Sequence, residues 1–480
     1  MPTERVYSVF DIGALVSAMA VKGAVLASLC PVAVGIVRHL HGTTTGGISL
    51  SALPVAATAI GAFVSSTVFF YCVPPRIHES KVPYLLHGGF LVLGQLIYFC
   101  VLLELPNESI AQYGAHYSTA TLETHLQLGL LIMIVARFVM TLGEGCIYSG
   151  KIMVSRIPEA RFRRDAFFLL SIARNVGLFG GPLLIGVIML VNVRGATAPL
   201  VLGLALALGF LALVVCLPTE VKWPTPEHSG DFNGENVTAE TTALVLAGPR
   251  EEDAAAAEKV PEGMPPFYVA VTVQATCLCC GISRSFFRYA YESAMVVVFT
   301  ERFGYTEAGS GILVGMLGLC TVLPILAIYY AMVWQFQWDL EAHSYAVILS
   351  AALAGVLSGV LILLGANDEG QWYIMLSALP FYAFEIFATA MGNSHPLKFA
   401  IDDSRLFNRE AIIARQEMLQ APVGTFTGLV LGRAVLGDSL DLEALGQLFL
   451  YGMLLQLALF AVGWDPRIWL RNSEHLTARA

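Results

Sequence analysis

The sequence predicts an all-α membrane protein of twelve transmembrane helices, arranged as two six-helix bundles. Three observations carry that prediction. The 480 residues are 56% hydrophobic and only 13% charged, where a soluble domain carries about 25% charged residues, and mean hydropathy is +0.69. The apolar residues collect in runs about as long as the ~20 residues a helix needs to cross a hydrocarbon core ~30 Å thick. These runs fall in two sets of six on either side of one polar stretch. Such a composition excludes a soluble enzyme and a disordered chain. The formal net charge of −9 offers no basic surface to nucleic acid.

Span 1 is expected over 12–37; it is too long for a signal-peptide core and has no small-residue cleavage site, so it reads as a retained helix. Spans 2 to 6 follow near 48–73, 83–105, 126–154, 166–192 and 198–217. The first bundle thus occupies 1–218. Residues 219–266 change character, with Pro224, Pro226, Gly230 and Gly234, then Glu251, Glu252 and Asp253, ending at Pro265 and Pro266. They read as a solvated, disordered linker. Spans 7 to 12 are expected near 267–300, 309–334, 343–365, 371–395, 415–436 and 446–463, giving a second bundle over 267–465 and a tail over 466–480.

Basic residues in short loops stay on the cytoplasmic side. With a cytoplasmic N-terminus, seventeen Lys and Arg residues fall in inner segments, and only Arg38, Arg194 and Arg302 fall in outer ones. Both termini and the linker are therefore expected to be cytoplasmic. One inner loop, Gln335 to Ala342, has acids and no base. Trp223, Trp334, Trp338, Trp372, Trp464 and Trp469 all lie at expected span ends, as in an aromatic belt. The sequon at Asn107 falls in an outer loop and is open to glycosylation, whereas that at Asn236 falls in the linker.

Spans 4 and 5 contain Arg137-Phe-Val-Met-Thr-Leu-Gly143-Glu144-Gly145, then Pro158-Glu-Ala-Arg161, then Gly177-Leu-Phe-Gly180-Gly181-Pro182. This resembles the span 4–5 signature of the major facilitator superfamily, whose two halves rock around a midplane site. In the second half, Tyr291-Glu292-Ser293, the run from Gly318 to Pro324, Glu385, Gly432-Arg433 and Asp438 resemble the transporter portion of SPX-MFS vacuolar phosphate transporters and their lysosomal relatives. No SPX domain is expected before span 1, and the loop Pro74-Pro-Arg76-Ile-His-Glu79 lacks the superfamily's usual Gly and Asp. The resemblance implies a cavity lined by spans 1, 4, 7 and 10, phosphate as substrate, and a vacuolar or lysosomal membrane.

A charge at a helix centre costs about 2.5–3.5 kcal/mol on insertion, so such residues face a cavity or a partner. Lys22 lies in span 1, Arg137, Glu144 and Lys151 in span 4, Arg174 in span 5, Arg284, Arg288 and Glu292 in span 7, Glu385 in span 10, and Arg433 in span 11. In one continuous helix, Arg137, Glu144 and Lys151 share a face, as do Arg284, Arg288 and Glu292. Structural ion pairs, such as Arg288 with Glu292, explain some of these charges. Seven bases against three acids leave an excess that calls for an anion.

The substrate-binding candidates are Lys22, Arg137, Arg284, Arg288, Lys151 and Arg174, with Arg288 preferred because the polar segment Ser283 to Ser285 is expected to interrupt span 7 beside it. Glu144, Glu292 and Glu385 are candidate proton carriers or counter-ions. His87 reads as a core or relay histidine, Gly177, Gly180 and Gly181 as sites of close helix approach, and Pro31, Pro54 and Pro380 as kinks. Cys277, Cys279 and Cys280 read as packing residues, and neither metal nor cofactor is implied. No Walker A, HxxxxD, GxGD or HExxH pattern occurs. The expected function is secondary transport of a small anion such as phosphate, by a monomer among membrane lipids, with protons as a candidate coupling ion. An anion channel, or a transporter of another organic solute, is the alternative.

Overall fold

The computed structural model describes residues 9–41, 50–74, 77, 81–104, 119–155, 160–191, 196–216, 266–336, 343–366, 370–400, 407–437 and 439–464. Both sequons, the linker between 219 and 265 and the tail lie outside these residues. Eleven helices among those described are long and apolar enough to cross a membrane. The helix Val9–Ser28, apolar from Gly13 onward, supplies the remaining span. The fold is therefore the expected all-helical membrane architecture.

Span 1 is Val9–Ser28, then a turn containing Pro31, then Ala33–His41. Spans 2 and 3 are Ala52–Cys72 and Val82–Glu104. Span 4 is not one helix: Thr119–Thr141 and Gly145–Ser155 are separated by a turn over 142–144. Spans 5 and 6 are Ala160–Leu190 and Ala198–Cys216. In the second set, span 7 is helical over Pro266–Val297 and continues as a π-turn over Val298–Arg302. Spans 8, 9 and 10 are Glu307–Tyr330, Ser344–Leu364 and Gln371–Ser394. Span 11 is Arg409–Leu419, a π-helical stretch Gln420–Phe426, and Thr427–Leu436; span 12 is Leu442–Gly463.

The two sets of six repeat one packing plan. Span 1 runs along spans 5 and 6, span 3 along 4 and 6, and span 2 along 4; six places later, span 7 runs along 11 and 12, span 9 along 10 and 12, and span 8 along 10. The sets meet through the equivalent pairs 5 with 8 and 2 with 11. Glycine sets the closeness of these crossings, because backbones in lipid approach only where side chains are small. A Cβ on Gly177 would strike the carbonyl of Ala20, and one on Gly181 would lie 2.5 Å from that of Ala24. Gly180, expected to act likewise, has open space instead. Gly424, Gly428 and Gly432 perform the same task for span 11 against span 7.

Other expectations change. Ser283 to Ser285 does not interrupt span 7, which is helical throughout; Ser283 instead donates to Gln456 of span 12 at 3.2 Å. Pro54 lies in the first turn of span 2, where its missing N–H costs little, rather than at a kink. Pro380 lies inside the assigned helix of span 10. Trp372 is exposed as a belt residue should be, but Trp464 is fully buried and stacks on His395 at 4.2 Å.

Candidate functional site

Between the two sets lies a central cavity of about 40 Å³, room for roughly three water molecules. Its charged lining is Lys22, Glu144, Arg174 and Glu417, with Ser285, Tyr289, Gln420, Thr58 and Thr425 as neutral polar groups. Spans 1, 2, 4, 5, 7 and 11 therefore supply the walls, and the expectation that span 10 lines the cavity with spans 1, 4 and 7 is corrected.

The break in span 4 is what presents Glu144. The amides of Leu142 and Glu144 bond three residues back, at 3.1 and 3.0 Å, tightening the chain into a turn. Gly143 permits this because its Cα lies against the backbone of His87 in span 3. Ser65 of span 2 straps the turn, donating to the Leu142 carbonyl at 2.5 Å and accepting from the Gly145 amide at 2.8 Å. Glu144 so placed meets Lys22 Nζ at 2.5 Å. His87 itself is buried against Phe210, with neither ring nitrogen hydrogen-bonded.

The same break undoes the shared face expected for Arg137, Glu144 and Lys151. Arg137 turns to span 1 and donates to the carbonyls of Val25 and Leu26 at 2.9 and 2.7 Å. Those are last-turn carbonyls of Val9–Ser28, so Arg137 caps a helix C-terminus, the negative end of its dipole. It is not part of the cavity lining. Lys151 points toward the other set and pairs with Glu417 of span 11. Glu417 was not among the residues the sequence singled out; its position among Arg415 and Gln416 near a span end reads as an interfacial charge.

Behind Tyr289 lies a buried ion network. Glu385 is 0% exposed and accepts from Arg284 at 2.6 Å, from Arg288, from Asn175 at 3.1 Å and from Thr389 at 3.0 Å. Arg288 also donates to Asn175 at 2.8 Å and to Glu292 at 3.0 Å. All three of its guanidinium nitrogens are thus engaged. The i,i+4 spacing does bring Arg284, Arg288 and Glu292 to one side of span 7, but as parts of a lattice joining spans 5, 7 and 10. Glu292 lines a separate small apolar pocket with Cys30 and Leu429.

Arg174 differs from these bases. It is half-buried on the cavity wall, donates one hydrogen bond to the Tyr289 hydroxyl, and lies 5.7 Å from the centre of that ring. Among the described residues, no carboxylate pairs with it. Lys22 and Lys151 are matched by Glu144 and Glu417, and Arg284 and Arg288 by Glu385 and Glu292. Of the two bases on the cavity wall, Lys22 is in contact with a carboxylate and Arg174, among the described residues, is not.

Contacts between the two sets flank the cavity on both sides. Leu15, Ile147, Met153 and Phe167 cluster with Leu397, Ile412 and Ile413 where span 1 begins. On the opposite side, Gly311 of span 8 lies against the Pro182 carbonyl and Pro31, and Arg433 reaches Ser51.

No family model matches the sequence, and a comparison with curated proteins finds no match. Solved structures do resemble it. The human organic anion transporter MFSD10 (TETRAN) aligns over 96% of this chain and 100% of its own, with 13% identity and a TM-score of 0.57. The xylose transporter XylE from E. coli, in a partially occluded inward-open conformation, aligns over 94% and 96%, with 12% identity and a TM-score of 0.60. The proton:xylose symporter XylE bound to 6-bromo-6-deoxy-D-glucose reaches 0.62 at 12% identity, over 95% and 94%. The fold is that of the major facilitator superfamily.

Proposed function

We propose that this protein is a secondary transporter that moves a small anion by alternating access, with inorganic phosphate as the first substrate to test. The observation that carries the reading is the Arg174 guanidinium on the wall of the central cavity, hydrogen-bonded to the Tyr289 hydroxyl and, among the described residues, in direct contact with no carboxylate. A guanidinium at membrane depth with no carboxylate in direct contact is costly. A bound oxyanion relieves it, and a guanidinium suits the paired oxygens of phosphate or carboxylate. Lys22, Ser285, Tyr289 and Gln420 line the same space and supply further donors. Contacts between the two sets on both sides of the cavity favour a carrier over a continuous conducting pore. MFSD10, described as an organic anion transporter, agrees in substrate charge.

In this reading Arg174 and Lys22 contact the substrate, while Arg284, Arg288 and Lys151 position the helices around it. Glu144 is the acid placed to exchange a proton, since it is the carboxylate that shares both the cavity and the Lys22 ammonium. Arg137 holds span 1 in place. The protein acts as a monomer with both termini and the linker in the cytoplasm, in a vacuolar or lysosomal type of membrane as the SPX-MFS resemblance implies. The experiment is uptake into proteoliposomes of labelled phosphate, other inorganic and organic anions, and neutral sugars, with and without a pH gradient. Saturable uptake of anions but not sugars supports the proposal; uptake confined to neutral solutes overturns it.

A further inference from the structure

We infer that Arg433 and the start of span 2 form a second anion site, separate from the central cavity, on the side of the protein where span 2 begins and span 11 ends. Arg433 lies in Thr427–Leu436 and is 0% exposed. One of its terminal nitrogens donates to the hydroxyl of Ser51. Its Nε and other terminal nitrogen have no hydrogen-bond partner, and among the described residues no carboxylate pairs with it.

The surroundings make the charge worse placed still. Ser51 is the residue before the 21-residue helix Ala52–Cys72, and its side chain makes no capping bond to that helix. The guanidinium thus meets a neutral hydroxyl, on a residue whose own backbone is helical (φ −65°, ψ −14°), rather than an acid. Arg137 shows the opposite arrangement in the same protein: a guanidinium at a helix C-terminus with two carbonyls to receive it. Nor does Arg433 have freedom to leave, since Gly432 packs span 11 against the backbone of Ala290, with an added Cβ only 2.6 Å from its Cα. Two free donors of one buried planar fork suit a small anion such as phosphate or chloride.

The Ser51 contact joins the two sets of helices, so it breaks when that side opens and releases a further donor of Arg433. An anion entering from that side then meets Arg433 before it reaches Arg174. This sequence rests on the proposed anion transport, whereas the existence of the site does not.

The test uses the purified full chain and the variants Arg433→Met, Arg433→Gln and Ser51→Ala, in two arms. The first follows thermal unfolding against added phosphate or chloride. The wild type should gain stability with one or both anions, and both Arg433 variants should lose that dependence. Arg433→Met should unfold no earlier than wild type in anion-free buffer, because it removes a buried unpaired charge. Stabilisation by chloride but not phosphate identifies a resident anion rather than cargo in transit. The second arm measures phosphate uptake in oriented proteoliposomes. Arg433→Gln should raise the half-saturation concentration at least tenfold on the span 2 start side and leave the opposite side within twofold, while Ser51→Ala stays within twofold on both. If Ser51→Ala reproduces Arg433→Gln, or anion-dependent stabilisation survives in both Arg433 variants, the contact is only a latch and the inference fails. If no anion is transported but Arg433-dependent stabilisation is seen, the site stands and the transport proposal fails.

Discussion

Glu385 holds two guanidinium groups in a place that water does not reach, and this makes it the most consequential single side chain in the second set of helices. Replacing it with Gln leaves Arg284 without its carboxylate and Arg288 with Glu292 alone. Breaking a buried ion pair from one side costs about 3–5 kcal/mol. Glu385→Gln is therefore expected to lower the unfolding temperature in detergent markedly, and a variant as stable as wild type would contradict the assigned network. Arg174 behaves otherwise, because its one hydrogen bond is to a neutral hydroxyl. Arg174→Gln should leave abundance and unfolding temperature near wild type while anion uptake is lost, and Arg174→Lys should retain a fraction of the uptake because the charge persists without the fork. Sequence alone distinguishes Arg288 from Arg174 poorly. Both are bases within apolar runs, and which of them finds a carboxylate depends on Glu385, 97 residues beyond Arg288 in the chain. Arg137 was misplaced for a local reason, since its seven-residue spacing from Glu144 has meaning only in an unbroken helix.

The positions of the spans were legible to within a few residues because the bilayer demands long apolar runs and the sequence supplies them with polar ends. The interruptions were not. At 29–32 and 142–144 the chain stays apolar or small, apart from Glu144, so hydropathy reads straight through both turns. Pro31 signals the first turn; the second depends on Ser65 and on the close approach of Gly143 to His87, which are contacts between helices. Two predictions belong at this scale. Gly428→Leu places a large side chain where even a Cβ meets the Phe286 carbonyl, so spans 7 and 11 should separate and membrane abundance should fall sharply; an unaffected level would refute the crossing. The Lys151–Glu417 pair joins span 4 to span 11. Lys151→Glu and Glu417→Lys should each depress transport through like-charge contact, and the double exchange should recover at least half of it. Failure of the double exchange, with both single variants present in the membrane, would show that the pair does not act as a unit.

Across the whole molecule, the repetition of one packing plan at an offset of six spans yields two units that meet through equivalent helix pairs, 5 with 8 and 2 with 11. The superfamily fold follows from this repeat more directly than from any motif. The proposed orientation adds that residues 219–265 face the cytoplasm, so protease applied from that side should cut there first, and protection of this segment would invert the topology. The central claim, though, is chemical: an anion occupies the cavity beside Arg174 and is carried, not conducted. Counterflow tests it most directly, with labelled phosphate entering proteoliposomes preloaded with unlabelled phosphate, for wild type and Arg174→Gln side by side. The account predicts saturable counterflow in wild type and none in the variant at equal reconstitution. Equal counterflow in both, or none in wild type for phosphate or any other small anion, would contradict it.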